Sequence, residues 1–122
     1  MQWVGQYKSL YGGKVKNLEE RVEKAIDYLV ETDKEAAKLK AMMVYREDML
    51  KTVNATLTLE FDEKTVAERE ARALSNPKYK YAIDKKSEAI YEYETMKNRR
   101  LSAQLVVEVW RTESANERKG NV

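Results

Sequence analysis

Asp84, Glu88 and Glu92 stand four residues apart in "DKKSEAIYE". On a helix this spacing lines three carboxylates along one face. Facing carboxylate rows in helical bundles can hold paired metal ions, but the usual sites also draw on histidine. This sequence contains neither histidine nor cysteine. Lys80, Lys85 and Lys86 flank the row, so it reads as a solvated face laced by helical ion pairs. The same two absences remove zinc ligands, disulfides and imidazole or thiolate catalysis. Gly12-Gly13 lacks the surroundings of a phosphate-binding loop. The expectation is a non-enzymatic protein with no catalytic residue, no metal and no cofactor.

The second chemistry available is recognition of a polyanion. The net charge of +2 hides an uneven distribution: 1–16 carries +3, 97–119 carries +3, and 17–96 carries −4. The first basic stretch is Lys8, Lys14 and Lys16, interleaved with Trp3, Tyr7 and Tyr11. The last comprises Lys97, Arg99 and Arg100, then Trp110 and Arg111, then Arg118 and Lys119. Single-stranded nucleic acid needs this mixture, because cations neutralise phosphates while aromatic rings stack on unpaired bases. Two structural alternatives stay open. Trp3 and Trp110 can pack together to close an end of the molecule, and basic residues near a helix C-terminus compensate its dipole without any ligand. An acidic protein surface or a membrane is a further possible partner. Tyr81 and Tyr91, set among lysines, are candidates for a secondary binding strip or for plain solvated positions.

These residues need elements to position them. From Leu18, steps of four and three residues reach Val22, Ala25, Leu29, Thr32, Ala36, Leu39, Met43, Arg46, Leu50, Val53 and Leu57. Only Thr32 and Arg46 interrupt this apolar stripe, and a repeat of about 3.5 residues held so long signals a coiled coil. Asn17 and Glu20 have capping-box spacing at its start. A second stripe runs through Tyr79, Ala82, Lys86, Ala89, Tyr93, Met96, Arg100, Ala103, Val107, Trp110 and Ser114, with Ile83, Ile90, Leu101 and Leu105 widening it. Between the stripes, Thr65 and Glu68 form another capping box, and Asn76-Pro77 supplies a cap with proline at the first helical position. Gly120 should stop the second helix. One conflict remains: "TVNATLTLEF" alternates like a strand over 52–61, and "QLVVEV" at 104–109 is its one candidate partner.

The expected fold is all-α: an aromatic, basic N-terminal arm over 1–16 and a helical hairpin domain over 17–119. Within that domain the pattern predicts a long helix over 17–60, a short connecting helix over 65–75 and a long helix over 77–118. A short connector folds the two long helices antiparallel, coiled-coil-like, each about 60 Å long. One seam is a thin core, and Ile26, Val30, Val44, Val106 and Val109 are left without obvious cover. A homo-oligomer follows. With no long apolar run and no leader pattern, the expectation is a cytoplasmic protein without membrane attachment.

Three pieces carry a resemblance to a known group: "YREDMLKTVNATLTLE", the connector "KTVAEREARALSNPKYK" and "YETMKNRRLSAQLVVEVWRTESAN". Over roughly residues 40–116 the layout resembles small helical proteins of the recombination and replication regions of tailed phages. It is similar to UvsY-type recombination mediators: a long helix, a charged connector, then a tyrosine-containing helix. The resemblance implies a non-enzymatic oligomer in the host cytoplasm that binds single-stranded DNA and helps load a recombinase. It assigns no individual DNA-binding residue. The rival expectation is a protein-interaction module, an adaptor or an inhibitor of a host enzyme, with no nucleic-acid binding.

Overall fold

A computed structural model describes residues 18–120. The arm expected over 1–16, with Lys8, Lys14 and Lys16, and the Asn17 cap lie outside the described residues. The described chain is all-helical, 92% helix with no strand. Its elements are α1 (Leu18–Glu31), α2 (Asp33–Glu60), α3 (Val66–Leu74) and α4 (Pro77–Gly120). The described residues form two compact units, one built from 18–35 with 95–120, the other from Ala36–Glu94.

In the first unit, Val22 and Ala25 of α1 form one cluster with Ala103 and Val106 of α4. Ala25 and Ala103 are fully excluded from solvent. Side chains this small let two helix backbones approach closely. Leu18, Tyr28, Leu29 and Val107 pack around the cluster. Arg100 meets Leu29 and Thr32, whereas Trp110, ten residues later, shares a cavity with Glu19, Val22 and Ile26. Within this unit α1 and the later part of α4 therefore run antiparallel.

Where a single helix is expected over 17–60, α1 and α2 meet at Thr32. The cause is chemical. Thr32 Oγ1 donates back to the Tyr28 carbonyl (2.7 Å), and the Arg100 guanidinium donates to the Leu29 carbonyl (2.8 Å) and to Thr32 Oγ1 (2.7 Å). A side chain inserted into the i→i−4 ladder interrupts a helix locally. The polar residues that break the two apolar stripes here, Thr32 and Arg100, are thus partners. Val106, expected to lack cover, belongs to the core at 6% exposure. Leu101 and Leu105, expected to widen the seam, are instead exposed.

The second unit buries Leu57, Ala73, Ala82 and Ala89. Residues 52–60 are helical to Glu60, not a strand. The threonines that favour a strand bond back along the helix, Thr52 Oγ1 to the Asp48 carbonyl (3.2 Å) and Thr58 Oγ1 to the Asn54 carbonyl (2.8 Å). With no second strand to pair with, the local preference for an extended chain loses. The connector is held by its own chemistry. Thr65 caps α3 by accepting from the Glu68 N–H (3.1 Å), and Asn76 Oδ1 accepts from the Lys78 N–H (2.9 Å) at the start of α4. Arg69 donates to the Glu63 carbonyl (2.9 Å), and Arg72 pairs with the Glu63 carboxylate while lying over the Phe61 ring.

The Arg72 hydrogen bond, ahead of smaller contributions, holds the Glu63 carboxyl below its ordinary value of 4.5. A depressed folded-state value means that this contribution is complete above the ordinary value and lost as pH falls through the folded one. Wild type is therefore expected to exceed Glu63→Gln in stability at about pH 6, with the gap closing steadily below about pH 4.5. Thermal melts of both proteins across that range check it, and a gap that does not change with pH removes the ion pair from the connector's stability.

Candidate nucleic-acid interface

The described candidates all lie on α4, whose register decides which of them act together. Lys97, Gln104, Arg111 and Arg118 are spaced by sevens. Seven residues are close to two turns of an α-helix, so the four lie roughly along one side, repeated about every 10 Å along the axis. All four are exposed. Glu113 shares its register with Val106, and Glu117 with Trp110, so both acids sit on other sides of the helix from the row. Glu108 flanks it. Lys119 is exposed in the last described turn, where it and Arg118 also face the negative end of the helix dipole. Arg118 Nε donates to the Ser114 carbonyl at 3.4 Å, which leans the side chain along the helix.

The other candidates fall elsewhere. Arg100 points inward: its side chain is 19% exposed, pairs with Asp33 Oδ1 (3.5 Å) and bonds across to α1. It is part of the scaffold. Arg99 is exposed on a different side, close enough to Tyr28 for its charge to act there. Burial pushes the Tyr28 phenol up, and the Arg99 and Arg100 charges partly offset this. The Tyr28 hydroxyl donates to the Met96 sulfur at 3.6 Å.

Trp110 is where the sequence pattern and the surroundings diverge most. It continues the seam one heptad beyond Ala103, and it lines a cavity of about 450 Å³ with Val22 and Ile26. The remaining lining is Glu19, Glu20 and Glu23. These acids stand in the first turns of α1, where the helix dipole favours them. Three acidic residues on the lining that Trp110 shares make this side of α4 a poor place for a phosphate chain. Trp110 is 37% exposed and stands on the side of α4 that faces α1, beside these acids. The sequence clusters "MKNRR" and "VWRTES" therefore each split in space, and the cations that line up come from both. Gln104 is the member of the row that residue type alone does not suggest, and the seven-residue interval is the signal that points to it.

Among the described residues no group of carboxylates is arranged to hold a metal ion, and no helix is long and apolar enough to cross a membrane. The arrangement presents charge and hydrogen-bond donors along one helix face, which is binding chemistry. No protein-family model matches the chain, and neither a curated protein nor a solved structure does, so a function rests on this geometry and on the residues themselves.

Proposed function

We propose that the protein is an accessory, non-catalytic binder of single-stranded nucleic acid, of the kind that assists recombination or replication in a phage-infected cell. The observation that carries this reading is the exposed Lys97–Gln104–Arg111–Arg118 row. Three exposed cations on one helix face, Lys97, Arg111 and Arg118, can neutralise phosphates of a strand laid along it, whereas dipole compensation accounts only for those in the last turn. The resemblance to UvsY-type mediators read from the sequence agrees with it. The basic arm over 1–16 adds Lys8, Lys14 and Lys16 to the charge available.

The protein acts as a homo-oligomer of hairpin-like subunits in this reading. Leu101, Leu105 and Val109 are exposed at intervals of four along α4, and Ile26 and Val30 do the same on α1. A second copy of the chain would cover these strips. Sedimentation at micromolar concentration is expected to show a mass above the 14.3 kDa of one chain. A concentration-independent monomer would leave the strips to a different protein, and favour the adaptor or host-enzyme inhibitor reading.

The binding test is a fluorescence-anisotropy titration of a labelled oligothymidylate at several salt concentrations. Arg111→Gln with Arg118→Gln is expected to weaken binding and to flatten the log–log salt slope by about 1.4, at roughly 0.7 for each phosphate of a single strand no longer neutralised. Helicity should not change, because both side chains are exposed. Unaltered affinity and slope would reduce the row to a solvated helix face.

A further inference from the structure

The second unit contains a cavity that the row on α4 does not involve, with Arg46 and Tyr81 in its lining. Its volume is about 440 Å³, within the range of sites for small organic ligands. Met49 and Val53 from α2, with Pro77 from α4, make an apolar floor. Tyr81 stands at its side, exposed. Arg46, Lys78 and Lys85 add three cations, and the lining includes no acidic residue. Arg46 breaks the apolar stripe of α2, a position where an aliphatic residue would pack better. Lys78 lies in the first turn of α4, a turn without acidic residues. Lys85 reaches towards the Tyr81 ring at 5.5 Å and pairs loosely with Glu88 at 3.4 Å. That pair is exposed and easily exchanged for a phosphate.

We infer that this cavity is a nucleotide site, taking one base against Tyr81 and the Met49–Val53–Pro77 floor and its phosphate among Arg46, Lys78 and Lys85. An apolar lining with an aromatic side chain suits a planar heterocycle, and three cations on that lining, Arg46 over the Tyr45 ring and Lys85 beside Glu88 among them, favour a ligand with negative charge. A nucleoside phosphate has both parts joined at the scale of the cavity. Its source is either a free mononucleotide or one unit of a single strand. The cavity and the α4 row share no residue, so each can bind without the other.

Calorimetric titration of the full chain with thymidine monophosphate, adenosine monophosphate, thymidine, inorganic phosphate and a short oligothymidylate tests it. The nucleotides or the oligonucleotide should bind, thymidine and phosphate each at least tenfold more weakly. Tyr81→Ala and Lys78→Glu should each weaken that binding roughly tenfold or more, as expected when one base stack or one phosphate interaction is removed. Circular dichroism should confirm unchanged helicity, both side chains being exposed. Binding of mononucleotides identifies a free ligand, and binding of the oligonucleotide alone identifies a strand; either supports the site only where Tyr81→Ala and Lys78→Glu weaken it. Arg111→Gln with Arg118→Gln should leave mononucleotide binding intact, so failure of the row and failure of the cavity are separable. Absence of any nucleotide binding, thymidine or inorganic phosphate bound as tightly as the nucleotides, or binding indifferent to Tyr81→Ala and Lys78→Glu would overturn the inference.

Discussion

Arg100→Met is expected to destabilise the protein by about 2–3 kcal/mol while leaving its affinity for nucleic acid unchanged. The guanidinium makes hydrogen bonds to the Leu29 carbonyl and Thr32 Oγ1, at 2.8 and 2.7 Å, from a side chain only 19% exposed. Charge-assisted bonds of this kind contribute roughly 1.5–3 kcal/mol each, but they do not add fully. Asp33 adds little, because its carboxylate is 78% exposed and screened. Methionine keeps the length and much of the apolar stem, so the loss isolates the polar head. Some of it is recovered, since the Leu29 carbonyl becomes free to accept from the Asp33 N–H and extend the helix through Thr32. The expected reading is a melting temperature lower by roughly 10 °C. Thr32→Val should cost about 1 kcal/mol, and the double variant less than the sum, because the two side chains are partners. An additive pair, or a neutral Arg100→Met, would show that Arg100 is solvated and that the break at Thr32 has a local origin. Arg111 and Arg118 supply the contrast. Three arginines of one helix are expected to divide cleanly, one altering stability and two altering binding.

Ala103→Leu should be costlier still, at about 3 kcal/mol or more. Ala103 and Ala25 have no solvent exposure and belong to one cluster with Val22 and Val106. Three added carbons have no space between helices that approach on alanine. Either the side chain takes a strained rotamer or the backbones separate and uncover both valines. Ala25→Leu should behave alike, and combining the two should not double the effect, because one separation accommodates both. Leu105→Ala is the control. Leu105 is 59% exposed, so its truncation should change the stability of one chain by less than about 0.5 kcal/mol. If a second copy covers that strip, the same variant should shift the association equilibrium and make the melting temperature depend on concentration. Melts at two concentrations separate the cases. Tolerance of leucine at both alanines would mean that the first unit is loosely packed, and that its helices are held by Arg100 and Trp110 more than by the alanine cluster.

The class of ligand proposed is the one expected from the resemblance to recombination mediators, and it is proposed separately from the cationic row. The row adds what the resemblance lacks, namely specific residues. It also redistributes the roles that sequence proximity suggests. Trp110 and Arg111 are neighbours in the chain, yet a step of one residue turns a helix by about 100°, so one joins the seam and the other the exposed row. Lys97 and Arg100, three residues apart, lie only about 60° apart around the helix, and Arg100 is the one drawn inward by its bonds to Leu29 and Thr32.

Much of the local structure was legible from residue order alone. Every residue of the first stripe from Leu18 to Leu57 is buried or half-buried, and so is the second stripe except for Trp110 near its end. Thr65 caps a helix and so does Asn76, as their short polar side chains and their distance from the following residues require. Such features depend on neighbours a few positions away, and the helical period alone decides which of them meet. What order alone could not decide were the matters that depend on which distant residue arrives opposite. Thr32 reads as a flaw in one stripe and Arg100 as a flaw in the other, until packing sets them 2.7 Å apart. Val106 and Leu105 are adjacent apolar residues of similar propensity, but one is buried at 6% and the other exposed at 59%. Trp110 acquires three glutamates from α1, and Arg46 a cavity shared with Tyr81, because helices distant in sequence lie side by side. Periodicity marks the side of a helix that is covered, while the residue that covers it is supplied by a segment about seventy positions away, and only the packed chain brings the two together.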